Sequence, residues 1–187
     1  MGVVWRSAVI VVLFAISSLG HANANETMIL EDFSDGAQKR WSYVADTVMG
    51  GESAGSISFE EENGEGFVRL VGNVSTRNNG GFIQVRTRLA SGLAPNRSGL
   101  KVRVRGNGET YYIFLRSKFA TRPWHSYRLS FTTGPNWRDI ELPLNEFQPS
   151  RPELPVNISP EDVTGIGIVA YGADFAADLS VATIGTF

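Results

Sequence analysis

What most constrains this chain is how short its apolar segments are. From Met28 onward, runs of apolar or alternating residues are stopped by glycine, proline or asparagine at intervals of about 8–12 residues, the signature of an all-β sandwich. The clearest alternation is Leu100-Lys101-Val102-Arg103-Val104-Arg105, where Leu100, Val102 and Val104 face one way and the three basic residues the other. Further strands are predicted over Met28–Phe33, Trp41–Ala45, Ser56–Glu60, Phe67–Val74, Phe82–Leu89, Tyr111–Arg116, Trp124–Thr132, Trp137–Leu142, Thr164–Ile168 and Asp178–Phe187. Gly106-Asn107-Gly108 reads as a hairpin turn between two of them. Thr133-Gly134-Pro135-Asn136 reads as the turn between two more, and Glu61 to Gly66 as a solvated acidic loop. Ser159-Pro160-Glu161-Asp162 has the layout of a helix start, with serine as cap and proline in the first turn, so one short helical turn is expected near 159–163.

Two stretches set paired glycines among polar and large apolar side chains: Trp41 to Ser53 (WSYVADTVMGGES) and Asn78-Asn79-Gly80-Gly81-Phe82. Paired glycines reach positive φ and allow close approach by another group, and Asp46, Asn78 and Asn79 can bond their own backbone or a ligand. They read as strand-connecting turns or as a recognition corner.

The first two dozen residues have the layout of a secretory signal peptide. A singly basic start is followed by the apolar run containing VIVVLFAI and by Ala22-Asn23-Ala24, which predicts cleavage after Ala24. Residues 25–187 are then one domain, exported to a periplasm or secreted, with no later segment able to span a membrane. With 17 basic against 19 acidic residues, the chain has no nucleic-acid footprint. It has no cysteine, so stability must come from the core and not from disulfides.

Side-chain alternation also predicts a basic face. If the strands share one sheet, its outer side carries Arg86, Arg88, Arg103, Arg105, Arg128 and Trp124. That face is either solvated and paired with acids, or suited to acidic or hydroxyl-rich ligands with Trp124 as a stacking platform.

Much chemistry is excluded. Without cysteine there is no thiol nucleophile and no thiolate metal site. His125 is the one histidine left after signal cleavage, so no histidine cluster can form, and its strand phase places it inward. No GxSxG elbow, phosphate loop or dinucleotide fingerprint is present. A hydrolase would have to draw two carboxylates from Asp46, Glu52 or Asp139. A non-enzyme with no cofactor and no metal is expected.

The ordered set Trp41, D-x-V-M-G-G-x-S (Asp46 to Ser53), N-N-G-G-F (Asn78 to Phe82) and R-G-N-G-E-x-Y (Arg105 to Tyr111) has a sequel. W-H-S-Y (from Trp124), W-R-D-I-E-L-P-L (from Trp137) and V-T-G-I-G-I (from Val163) follow in turn. Together these resemble the Complex I intermediate-associated protein 30 family across Ile29 to Ile184. The resemblance implies a non-catalytic, galactose-binding-like jelly roll. Mitochondrial members act in assembly of respiratory complex I and plant relatives in photosystem assembly, while the same fold hosts carbohydrate-binding modules. The expectation is an exported binding domain that assists assembly or stability of a protein complex through protein–protein contacts. Asp46, Met49, Gly50, Gly51, Asn78, Asn79 and Gly80 would form or shape its recognition surface, with Trp41 and Trp137 in the core. The alternative is a glycan-binding module using the arginine face with Trp124, Tyr111 or Tyr112.

Overall fold

A computed structural model describes residues 26–187. The expected signal peptide, residues 1–24, lies outside the described residues. The described residues form twelve strands: β1 Met28–Glu31, β2 Ser42–Ala45, β3 Ala54–Glu62, β4 Glu65–Val74, β5 Phe82–Arg88, β6 Gly99–Gly106, β7 Thr110–Ser117, β8 Tyr127–Thr132, β9 Arg138–Pro143, β10 Gln148–Pro149, β11 Val163–Tyr171 and β12 Phe175–Thr186. They form two six-stranded antiparallel sheets. In the first the order is β3-β4-β12-β6-β9, with β1 also on β12; in the second it is β10-β8-β7-β11-β5-β2. This is the β-sandwich jelly roll that the strand spacing predicts.

The inner faces meet in one core. Leu70, Leu100, Val102, Val104, Leu179 and Ile184 come from the first sheet, and Ile83, Val85, Ile113, Leu115, Ile166 and Ile168 from the second. Each is essentially inaccessible to solvent, and each such side chain contributes roughly 1.5–3 kcal/mol by leaving water. Tyr111 and Tyr127 are buried with them, so Tyr111 cannot touch a ligand. The buried Tyr111 hydroxyl donates to Asn107 Oδ1 (2.7 Å) and accepts the Asp178 amide (2.8 Å).

Sheet membership departs from the simplest expectation. Gly106-Asn107-Gly108 is not a hairpin turn: β6 lies in the first sheet and β7 in the second, so the segment crosses the sandwich. A two-residue hairpin of the favoured type needs both central residues at positive φ. Of Asn107 and Gly108 only Gly108 qualifies, and the Asn107 side chain donates through Nδ2 to Ala176 O (2.7 Å). Asn63-Gly64, inside the acidic loop, meets the condition with φ of 55° and 82°, and it joins β3 to β4 as a true hairpin. Residues 133–136 likewise carry the chain from one sheet to the other.

Two helical details also differ. Pro160–Asp162 is a 3₁₀ turn, but the Ser159 side chain makes no capping bond. A short helix not foreseen, α1 (Ala37–Arg40), precedes Trp41. Trp41 is core, as expected, and its indole N–H donates to Glu31 Oε2 (2.8 Å). No helix among the described residues is long and apolar enough to cross a membrane.

Candidate functional site

The two glycine-rich stretches meet at one end of the sandwich, where a buried carboxylate joins them. Asp46 opens a 3₁₀ turn (Asp46–Met49) after β2 and is 0% exposed. Its Oδ1 accepts the Ser53 amide (3.0 Å), and its Oδ2 accepts the Ser53 hydroxyl (2.5 Å) and the amides of Gly81 (2.5 Å) and Phe82 (3.1 Å). The Ser53 hydroxyl in turn accepts the Ser75 amide (2.9 Å). Burial pushes the Asp46 carboxyl up, but these donated hydrogen bonds outweigh it and hold it below its ordinary value. The glycines follow from the carboxylate. A Cβ on Gly51 would lie 2.3 Å from Asp46 Cγ, and one on Gly80 2.5 Å from Oδ2. Asn78 and Asn79 both sit at positive φ, which asparagine tolerates better than most side chains.

Of the residues expected there, Asp46 and the flanking backbone are used internally. Met49, Gly50, Asn78 and Asn79 are at the surface, and Asn78 Nδ2 donates to Glu52 Oε1 (3.0 Å). Val48 and Met49 stand in solvent at 74% and 61% exposure.

The expected single arginine face is in fact two faces on opposite sides of the molecule. Arg103 and Arg105 lie on β6 in the first sheet, whereas Arg86 and Arg88 lie on β5 and Arg128 on β8 in the second. Strand phase was right; alternation says which side of its own sheet a residue takes but not which sheet it joins. The first face is neutralised from within. Arg69 pairs with Asp178 (2.9 Å), Arg103 with Glu65 and Asp139 (3.9 and 3.8 Å), Arg105 with Glu62 (2.8 Å), and Lys101 with Asp139 and Glu141. Trp137 belongs to this face and not to the core. Arg105 stacks over it at 4.5 Å, and its indole N–H donates to Glu62 (3.1 Å). Its ring is held between charged groups that already satisfy one another, beside a cleft of about 260 Å³.

The second face differs. Arg128 lies over Phe114 (4.6 Å) and Tyr171 (4.8 Å), donating to the Tyr171 hydroxyl (2.9 Å) and to Ser126 Oγ (3.0 Å). Arg116 was not expected to matter, yet it organises the loop before β8. It donates to the carbonyls of Ala120 (2.9 Å), Arg122 (2.8 Å), Pro123 (3.0 Å) and His125 (2.5 Å). Ser150 Oγ donates to Trp124 O (3.0 Å) and accepts the Ser126 amide (3.0 Å). Trp124 is thus on a backbone-pinned loop, not in a strand, and it is 51% exposed. His125 beside it is buried.

The carboxylates a hydrolase would need are dispersed. Asp46 is consumed at the corner, Glu52 faces Arg77 (3.7 Å), and Asp139 is on the first sheet's outer face. Among the described residues no group of three or more histidine, aspartate or glutamate side chains is placed to hold a metal.

The sequence profile of Complex I intermediate-associated protein 30 matches residues 31–181. The chain belongs to that family. Among curated proteins, none matches its sequence. Solved structures share the fold at low identity. The family 11 carbohydrate-binding module of the cellulosomal cellulase Lic26A-Cel5E of Clostridium thermocellum is 14% identical, covers 87% of this chain and 94% of its own, and superposes with a TM-score of 0.71. The Clostridium thermocellum family 11 module in complex with a β-1,3-1,4-mixed-linked tetrasaccharide is 15% identical, with coverage of 86% and 95% and a TM-score of 0.69. A family 30 carbohydrate-binding module is 16% identical over 73% of this chain and 92% of its own, at 0.52. This member of the Complex I intermediate-associated protein 30 family therefore has the carbohydrate-binding-module sandwich, and family and fold together support a non-catalytic binding domain.

Proposed function

We propose that the chain is an exported, non-catalytic binding domain that takes a saccharide ligand on the outer face of the second sheet, centred on Trp124. The observation that carries this reading is the rigid presentation of Trp124. A half-exposed indole on a loop fastened by Arg116 and Ser150 is an aromatic platform ordered before any ligand arrives, which lowers the entropic cost of binding. The sandwich shared with modules solved as carbohydrate binders supports the same reading. The test is calorimetric titration against a glycan panel with the wild-type chain and Trp124→Ala. Saturable binding that the variant loses, at an unchanged melting temperature, is expected. A panel without any saturable ligand would end the proposal. Export is tested by N-terminal sequencing of the protein recovered outside the cytoplasm, which should begin at Asn25.

A second reading, protein–protein contact in assembly of a complex, is favoured by Val48 and Met49, two large apolar side chains held in water at the Asp46 corner. A photo-crosslinker at Val48 should then join one stoichiometric partner that Met49→Asp no longer holds. A crosslinking pattern unaffected by Met49→Asp counts against it.

A further inference from the structure

The sandwich is electrically two-sided. The six strands of the second sheet contain no aspartate or glutamate, whereas those of the first contain Glu60, Glu62, Glu65, Asp139, Glu141 and Asp178 among others. In a chain with more acidic than basic residues, this leaves one face positive. Among the described residues Arg86, Arg88, Arg116 and Arg128 have no carboxylate within ion-pair distance, in contrast to the basic residues of the opposite face.

These four do not have the same role. Arg116 and Arg128 are committed to the loop carbonyls and to the Tyr171–Phe114 cluster. Arg86 and Arg88 are exposed, and their guanidinium groups have no hydrogen-bond acceptor within the described protein. They stand two residues apart on one side of β5, about 6.6 Å along the strand. In register, Arg88 faces Gly165 and then Arg116, and Arg86 faces Gly167 and then Phe114. Gly165 on β11 thus leaves no side chain in register between Arg88 and Arg116, whereas Gln84 Oε1 reaches over Gly167 and Phe114 stands between Arg86 and Arg128. Burial, followed by the like charges of Arg86 and Arg88, pushes the Arg116 guanidinium down, as expected for cations sharing a face without a counter-ion.

An arginine fork takes a carboxylate through two parallel hydrogen bonds, and like-charged neighbours strengthen the field an anion meets. The chemistry missing from this face is therefore acid. We infer that the ligand is an acidic polysaccharide, whose ring carboxylates are taken by Arg86 and Arg88 while a sugar ring lies against Trp124. The inference rests on the saccharide reading above and names the class of saccharide. An acidic peptide fits less well. Strand addition needs a free sheet edge, whereas Arg86 and Arg88 sit on β5, whose backbone pairs with β2 and β11 on its two sides.

The experiment titrates the full chain with polygalacturonate, methyl-esterified polygalacturonate, neutral mixed-linkage β-glucan and poly-L-glutamate, each at low and high salt. Polygalacturonate should bind, and esterification or added salt should weaken it at least about tenfold. Arg86→Gln and Arg88→Gln should each weaken it about fivefold. Neither should lower the melting temperature, because neither guanidinium bonds another group. Equal, salt-independent binding of neutral glucan would overturn the acidic class and leave the saccharide reading standing. Binding of poly-L-glutamate at least as tight as polygalacturonate would overturn it in favour of an acidic protein partner. No binding of any polysaccharide would overturn both inference and saccharide reading.

Discussion

Replacing Asp46 should be among the most destabilising single changes in the domain. Four donors converge on its two oxygens, three of them backbone amides fixed by the corner: Ser53, Gly81 and Phe82. In Asp46→Ala these amides stay buried without an acceptor, at about 1–3 kcal/mol each for a desolvated orphan. Relaxation and an admitted water offset part of this, so about 3–5 kcal/mol is expected against a typical total of about 5–15. For a domain of this size that lowers the melting temperature by about 10 °C or more. Asp46→Asn keeps the shape but turns an amide NH₂ toward amide donors, so it should cost nearly as much. The pH dependence supplies an independent check. Because the folded carboxyl lies below its ordinary value of about 3.8, its contribution is complete above that pH and is lost as pH falls through the lower, folded value. Wild type should therefore lose stability in this acid range, and Asp46→Asn should show a flatter acid limb. Chemical denaturation from pH 6 down to pH 2.5 measures both. A loss below about 1 kcal/mol at neutral pH, with an unchanged acid limb, would refute the role given to this carboxylate.

Gly51→Ala should destabilise wild type, since its Cβ would meet Asp46 Cγ at 2.3 Å, yet cost much less in an Asp46→Ala background; a double-mutant cycle with additive effects would contradict this. Arg116→Met should remove the side-chain donor shared by four loop carbonyls, of which Arg122 O keeps the His125 amide, and speed amide exchange across residues 118–126, while an unchanged exchange pattern would show that the loop holds itself. Burial pushes the Tyr111 hydroxyl up to about 12, so ultraviolet titration should find one tyrosine ionising far above the ordinary 10. Unfolding should also become easier as pH rises from about 10 toward 12, because the unfolded phenol ionises first; Tyr111→Phe should remove that alkaline term.

The strands were legible because inside-outside alternation is a local property, readable in Leu100 to Arg105 without knowing what the strand pairs with. Sheet membership was not, because it depends on where the chain crosses the sandwich. Asn63-Gly64 and Asn107-Gly108 are the same dipeptide, one a hairpin and the other a crossover, and what separates them is the Asn107 side chain bonding Ala176 and Tyr111 across the fold. Buried carboxylates were only partly legible, for a related reason. Asp46 was read as able to bond backbone or a ligand, but its convergence on the distant Gly81 and Phe82 amides depends on the fold, and Glu31 was passed over although it holds Trp41 and Arg40. Trp137 was assigned to the core by its size; the stacked Arg105 keeps it on the surface instead. Arg116 gave no signal at all, because its partners are main-chain carbonyls.

The glycine-rich signature and the ligand face are thus separate parts of the molecule, for different physical reasons. At the corner every polar group that Asp46 gathers is already satisfied, so substitutions there should be read in stability first and in binding only as a consequence. On the second sheet the reverse holds. Arg86, Arg88 and Trp124 are exposed and contribute little to the fold, and Arg86 and Arg88 repel a fixed cation, Arg116, across β11. Removing a like charge from that row should leave the melting temperature unchanged or raise it slightly. A charge arrangement that does not help folding, on a rigid face with an ordered indole beside it, is what a site kept for binding would look like. Loss of affinity without loss of stability at Arg86 and Arg88, beside loss of stability at Asp46, is the pattern that separates the two roles.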